Sequence, residues 1–119
     1  MDRLLDSAAR KDGFDAVIAL DDDGALIGFA AGWTDTVLTG AEPAFELAEL
    51  VVAPGLQGRG VGRALHDRLL LAGAPGRALL MTLDVPELTG RYERWGWTVV
   101  DRRRPAEEER EYVVMSRGR

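Results

Sequence analysis

The chain has no cysteine, a single histidine and no long apolar run, and each lack excludes a class of protein. Without cysteine there is no disulfide framework, no thiolate nucleophile and no cysteine-type metal site, and we expect no metal. No apolar run approaches the roughly 18 residues that span a bilayer. The N-terminus carries charges of both signs and does not read as a signal peptide. We therefore expect a cytoplasmic protein with no membrane partner.

Length and charge limit the remaining classes. A chain of 119 residues fits one domain, residues 1–119, with a single modest core. A net charge of −5 argues against nucleic acid as a partner, because phosphate backbones require a concentrated basic surface.

Apolar periodicity and glycine, proline and aspartate turns divide the chain into short elements. An Asp-Gly turn at residues 21–24 between two apolar runs predicts a β-hairpin. The predicted helices cover residues 2–11, 60–72 and 86–95, and the predicted strands cover 14–20, 25–33, 44–53, 78–83, 97–101 and 111–115. In the strand over 44–53, strict alternation would place Glu46, Leu50 and Val52 on one face and Glu49 on the other.

A strand, a helix and a second strand over residues 44–83 require a crossover, so these two strands should be parallel. The remaining connections favour antiparallel pairing. The sequence therefore predicts a mixed α/β (α+β) domain, with a mostly antiparallel sheet, one parallel strand pair and flanking helices.

The most informative segment is the glycine-rich turn before the second predicted helix, LVVAPGLQGRGVGRAL at residues 50–65. Its glycines let a bulky anion approach the backbone, and the free amides of the first helical turn attract negative charge. Arg59 and Arg63 add positive charge, so a phosphate or pyrophosphate is the expected ligand. A phosphate-loop NTPase would need Gly-Lys-Ser/Thr where Gly62-Arg63-Ala64 stands, and the glycine spacing fits a dinucleotide fingerprint poorly.

Two motifs resemble those of the GNAT superfamily of acetyl-CoA-dependent N-acetyltransferases. Gln57, Gly60 and Gly62 match its Gln/Arg-x-x-Gly-x-Gly/Ala signature, and the segment LVVAP at residues 50–54 is similar to its preceding strand. The segment YERWGW at residues 92–97 resembles its Tyr-x-x-x-Gly-Phe/Trp element. By element order the resemblance covers residues 14–117.

The resemblance implies a site for acetyl-CoA as cosubstrate and an acyl-CoA N-acyltransferase-like fold whose parallel strands splay apart. The pantetheine arm would pair with the main chain of Leu50 and Val52, and the Leu50 amide would face the thioester oxygen. The pyrophosphate would meet the amides of residues 57–62. The implied coenzyme-binding set is Leu50, Val52, Gln57, Gly58, Arg59, Gly60, Val61, Gly62 and Arg63.

Family members transfer the acetyl group directly to an amine, which requires a base for the amine and an acid for the leaving thiolate. The resemblance implies Glu46 as the base and Tyr92 as the acid, with Glu49 as the competing base. Each has an alternative interpretation, as a solvated or ion-paired glutamate or as a core tyrosine. The single histidine, His66, reads as a surface residue.

The chain departs from the family pattern at its N-terminus, where family members begin with a further strand and helix that wall the acceptor site. Their lack would expose an edge strand that a homodimer would cover. It also favours an alternative function, a catalytically inactive acyl-CoA-binding module, whereas the presence of Glu46 and Tyr92 favours an enzyme. Neither the acyl acceptor nor the acyl length follows from the sequence.

Overall fold

Short apolar runs between turn-forming residues build the regular elements. The computed structural model describes residues 3–6, 13–74, 76–107 and 109–118, and of residues 3–6 it describes the backbone alone. The elements in this part of the chain are β1 (Arg3–Asp6), β2 (Asp15–Leu20), β3 (Leu26–Asp35), β4 (Ala44–Val52), α1 (Val61–Gly73), β5 (Ala78–Leu83), α2 (Pro86–Arg94), β6 (Thr98–Arg103) and β7 (Tyr112–Arg117).

The strands form one sheet in the order β1-β2-β3-β4-β5-β7-β6. β4 and β5 are parallel, joined by the crossover helix α1, and the other neighbouring pairs in the described sheet are antiparallel. The mixed fold with one parallel pair is thus confirmed. The predicted hairpin also forms, because the Asp21 carboxylate accepts hydrogen bonds from the amides of Asp23 and Ala25, and Gly24 takes a φ of 86°.

The predicted N-terminal helix is wrong over residues 3–6, which form strand β1 and pair antiparallel with residues 17–20 of β2. A ten-residue helix is marginal on its own, whereas pairing with β2 satisfies the backbone N–H and C=O groups of this segment. The rest of that predicted helix, residue 2 and residues 7–11, lies outside the described residues.

A β-bulge interrupts β4 in its pairing with β3. Ala31 of β3 lies opposite Glu49, and the next residue, Gly32, lies opposite Leu47, so Ala48 is the extra residue on β4. An extra residue resets the alternation of side chains, because the period of a strand is two.

The predicted faces of β4 therefore hold after the bulge, where Glu49 lies opposite Leu50 and Val52, and are wrong before it, at Glu46 and Leu47. Leu47 before the bulge and Leu50 and Val52 after it all pack on one core cluster, so they share a face of the sheet. Glu46 and Glu49, which strict alternation separates, lie together on the opposite face.

Both described helices pack on the same face of the sheet. The main cluster joins one side of α1 to residues of α2 and to inward-facing strand residues; its members include Val61, Leu65, Leu69, Leu70, Tyr92, Trp97, Val113 and Met115. A smaller cluster of Leu38, Leu79 and Val114 lies on the other face. Neither helix of the described chain is both long and apolar enough to cross a membrane.

Candidate functional site

The parallel strands β4 and β5 pair only at their beginnings. Phe45 lies opposite Ala78 and Glu46 opposite Leu79, and no further pair joins the two strands in the described sheet. The backbone of β4 beyond these residues, including Leu50, therefore has an edge with no strand on its β5 side. Such an edge offers N–H and C=O groups to an extended ligand.

The turn from β4 into α1 exposes the N-terminus of the helix. Gly58 and Gly60 take φ values of 81° and 85°, a left-handed conformation that favours glycine. Gly60 is the N-cap and supplies no side chain to bond the first-turn amides, and that turn holds no acidic residue. The free amides and the positive end of the helix dipole therefore remain available to an anion.

A cavity of about 340 Å³ lies between this turn, β4 and α2. Its walls are Leu50, Val52, Gln57, Gly58, Gly60, Gly62, Arg63, Arg91, Arg94 and Trp95. The structure thus brings together most of the predicted coenzyme-binding residues. Arg59 is exposed and does not line the cavity, and the Val61 side chain is buried in the core, so Val61 offers only its backbone amide.

Sequence reasoning missed the contribution of α2 to this cavity. Arg91 and Arg94 stand one turn apart on either side of Tyr92, and with Arg63 they place three guanidinium groups on the walls. In a chain of net charge −5, this concentration of positive charge points to an anionic ligand. The signal was present in the sequence, because Arg94 of the second motif and Arg91, the residue just before that motif, have helical spacing.

Glu46 occupies the other face of the sheet, opposite Trp33 of β3. Burial, followed by a hydrogen bond and charge repulsion from Asp35, raises the pKa of Glu46 from 4.5 to about 7. Asp35 is itself held by the Trp33 indole, whose Nε1 donates to its Oδ2 at 2.9 Å. A carboxyl group with a pKa near neutrality can exchange protons at physiological pH. Glu49 shares this face but is exposed.

Tyr92 lies in the core behind the cavity wall. Its ring makes edge contacts with Trp95, at 5.6 Å between ring centroids, and with Trp97, at 6.1 Å. Burial raises the pKa of its phenol, with a smaller opposing effect from Arg91. Tyr92 does not line this cavity, but its ring contacts Trp95, which does.

His66 is not the surface residue that the sequence predicts, because its side chain is fully buried. Its helical position faces the core beside Leu65 and Leu69, and its ring accepts a hydrogen bond from Trp97. Within the described residues, no group of three or more histidine or acidic side chains is gathered as metal ligands would be.

Comparisons with known proteins identify the family and the fold. The model of the acetyltransferase (GNAT) family matches residues 1–97, and no curated protein matches the chain. Nourseothricin acetyltransferase superposes with a TM-score of 0.69 at 23% identity, covering 89% of this chain and 65% of that one. Naa20 from Chaetomium thermophilum, solved with a bisubstrate analogue, gives 0.71 at 18% identity, covering 87% and 65%.

Arabidopsis thaliana Naa50, in complex with the bisubstrate analogue CoA-Ac-MVNAL, gives a TM-score of 0.69 at 20% identity and covers 87% of this chain and 72% of that one. These structures share the fold. The chain spans just under two thirds of the length of the first two.

Proposed function

Because the chain belongs to the GNAT family of acetyltransferases, we propose that it transfers an acetyl group from acetyl-CoA to a primary amine of a small molecule or peptide. The proposal is supported by one arrangement of groups. An arginine-lined cavity meets the free N-terminus of α1 and the unpaired edge of β4, and the Glu46 carboxyl group, with a pKa of about 7, lies on the opposite face of the sheet.

The cavity suits coenzyme A in two respects. The coenzyme's phosphates are polyanionic, and the α1 amides with Arg63, Arg91 and Arg94 provide donors and positive charge for them. Its pantetheine arm carries amides that pair as a short strand along the free edge of β4 at Leu50 and Val52. The acetyl group then reaches the gap where β4 and β5 separate.

The acceptor approaches from the opposite face, where Glu46 lies. Glu46 takes the proton from the amine, directly or through water, and the free nitrogen attacks the thioester carbonyl carbon. The carbon–sulfur bond breaks as the amide forms, and the departing thiolate takes a proton from Tyr92. The Leu50 amide faces the carbonyl oxygen on which negative charge develops.

Glu46 and Tyr92 begin in the protonation states that these roles favour. A pKa near 7 leaves about half of the Glu46 carboxyl ionised at neutral pH, so it can accept a proton and release it again. The Tyr92 phenol is protonated at neutral pH, because its ordinary pKa of 10.0 is raised further by burial. The same rise makes Tyr92 a weaker acid.

Thiol release tests the proposal. Purified protein is mixed with acetyl-CoA and a panel of primary amines, including peptides with a free N-terminus, peptides with an internal lysine and small polyamines. At least one class should release free CoA thiol above the hydrolysis background, with the acetylated amine identified by mass spectrometry.

The matched variants are Glu46→Gln and Glu49→Gln, which remove the same charge from the same face of the sheet. Loss of the base should lower kcat by about 100-fold or more for Glu46→Gln, whereas Glu49→Gln should retain turnover. If the protein binds acetyl-CoA but acetylates no amine, the alternative of an inactive acyl-CoA-binding module replaces the proposal.

A further inference from the structure

The buried histidine on α1 belongs to a chain of hydrogen bonds that ends at the cavity. Trp97 Nε1 donates to His66 Nε2 at 2.8 Å, and His66 Nδ1 lies 2.8 Å from Asp67 Oδ1. An indole N–H is only a donor, so Nε2 of His66 is an unprotonated acceptor. The neutral ring therefore carries its proton on Nδ1 and donates it to Asp67.

Asp67, which His66 holds by this hydrogen bond, also contacts Arg63, one helical turn earlier. Arg63 Nε lies 3.0 Å from Asp67 Oδ1 and 3.1 Å from Oδ2, so both carboxylate oxygens accept from the same N–H. This contact occupies Nε and leaves the terminal amino groups of the guanidinium for another anion.

The aromatic residues close the network into a ring. The Arg63 guanidinium lies 5.6 Å above the Trp95 ring, and Trp95 in turn packs on His66 at 4.7 Å between ring centroids. Arg63 is thus held from two sides by groups that both touch His66. Arg63 and Trp95 are also walls of the cavity.

Burial is the largest effect on His66 and lowers its pKa, which favours the neutral ring. The hydrogen bond and charge of Asp67 act in the opposite direction, and the charges of Arg117 and Arg63 lower the pKa further. A neutral His66 keeps the Trp97 bond, which an imidazolium would lose, because both of its nitrogens would be donors.

We propose that His66 is a positioning residue, which through Asp67 fixes the Arg63 guanidinium at the cavity for the phosphate groups of the coenzyme. The inference rests on the proposed function, since it needs coenzyme A in this cavity. Fixing the arginine in advance lowers the conformational entropy that binding would otherwise cost. The role is distinct from packing, because it depends on one N–H at Nδ1.

Two variants of similar size isolate that N–H. His66→Asn places an amide nitrogen near the position of Nδ1 and keeps a donor for Asp67, whereas His66→Leu keeps none. Both remove the acceptor of the Trp97 indole, so both share that structural cost. His66→Gln gives the converse case, because its longer side chain can accept from Trp97 without donating to Asp67.

Calorimetric titration with CoA provides the main readout, and pantetheine, which lacks the phosphates, provides the control ligand. His66→Leu and His66→Gln should bind CoA about two- to tenfold more weakly than the parent, while His66→Asn stays within twofold of it. Pantetheine affinity should be equal in all variants. In an Arg63→Met background, the difference between His66→Leu and His66→Asn should disappear.

Equal CoA affinity of the leucine and asparagine variants overturns the inference, as does equal weakening toward CoA and pantetheine, which indicates a purely structural role. If His66→Leu does not fold, the comparison of His66→Gln with His66→Asn decides the question. These failures differ from failure of the proposed function, in which the parent protein does not bind CoA or binds it without acetylating an amine.

Discussion

Replacing Asp35 with asparagine removes the carboxylate that hydrogen-bonds to Glu46 and repels its charge. Asp35 accepts from the Trp33 indole at Oδ2 and from the Val37 amide at Oδ1, and asparagine, with a single acceptor oxygen, keeps one of these two bonds. The burial of Glu46 is unchanged, so only part of the rise in its pKa should be lost. We expect the pKa of Glu46 to fall toward its ordinary value of 4.5 without reaching it.

The size of the effect follows from the ionised fraction of the base. With a pKa of about 7, roughly a tenth of the Glu46 side chains are ionised at pH 6. Loss of one neighbouring carboxylate lowers a pKa by about one unit, which would ionise roughly half of them. Asp35→Asn should therefore raise kcat/KM about fivefold at pH 6 and leave it unchanged above pH 8.5 or so.

The assay is the initial rate of thiol release across the pH range for both proteins, expressed as their ratio at each pH. The ratio cancels the ionisation of the amine acceptor, which is the same in both reactions. Asp21→Asn is the control, because Asp21 also accepts from a backbone amide two residues on but lies in the hairpin turn. A ratio that does not change with pH would refute the idea that Asp35 raises the pKa of a catalytic Glu46. So would a pH–rate profile whose rise occurs at the same pH in both proteins.

Three further predictions concern the acid, the arginines and the buried histidine. Tyr92→Phe should lower kcat about tenfold or more with little change in KM for acetyl-CoA; unchanged kcat in a folded variant would leave Tyr92 with a packing role alone. Arg94→Gln should weaken acetyl-CoA binding about tenfold and reduce its salt dependence, whereas Arg110→Gln, an exposed change between β6 and β7, should do neither. Because the pKa of His66 in the folded chain lies below its ordinary 6.5, the unfolded state binds the extra proton. The free energy of unfolding should thus decrease as pH falls below 6.5, by up to about 1.4 kcal/mol per pH unit. Thermal melts across this pH range should show a smaller decrease for His66→Asn than for the parent.

The glycine turn, with the side of the cavity that it forms, could be predicted from sequence because its determinants are local. Gly58 and Gly60 adopt left-handed conformations within the turn itself, and α1 follows directly from it. The parallel pairing of β4 and β5 also follows from the chain order, since a helical crossover brings consecutive strands back in one direction.

Features that depend on distant partners could not be predicted in this way. The bulge at Ala48 arises in the pairing with β3 and moves Glu46 to the face that Glu49 occupies, opposite Leu50 and Val52. The burial of His66 depends on Trp97, which lies 31 residues further along the chain. Residues 3–6 form a strand because β2 offers a free edge, which outweighs the local helical pattern.

The central claim is that the glycine turn and the start of α1 hold the coenzyme phosphates, and calorimetric titration of acetyl-CoA into Gly60→Glu tests it most directly. Gly24→Glu is a matched control, because both glycines have a φ near 85° and open space where a side chain would stand. We predict micromolar binding of acetyl-CoA by the parent and by Gly24→Glu, and loss of that binding in Gly60→Glu. Equal binding by both variants, or no binding by the folded parent, would contradict the account.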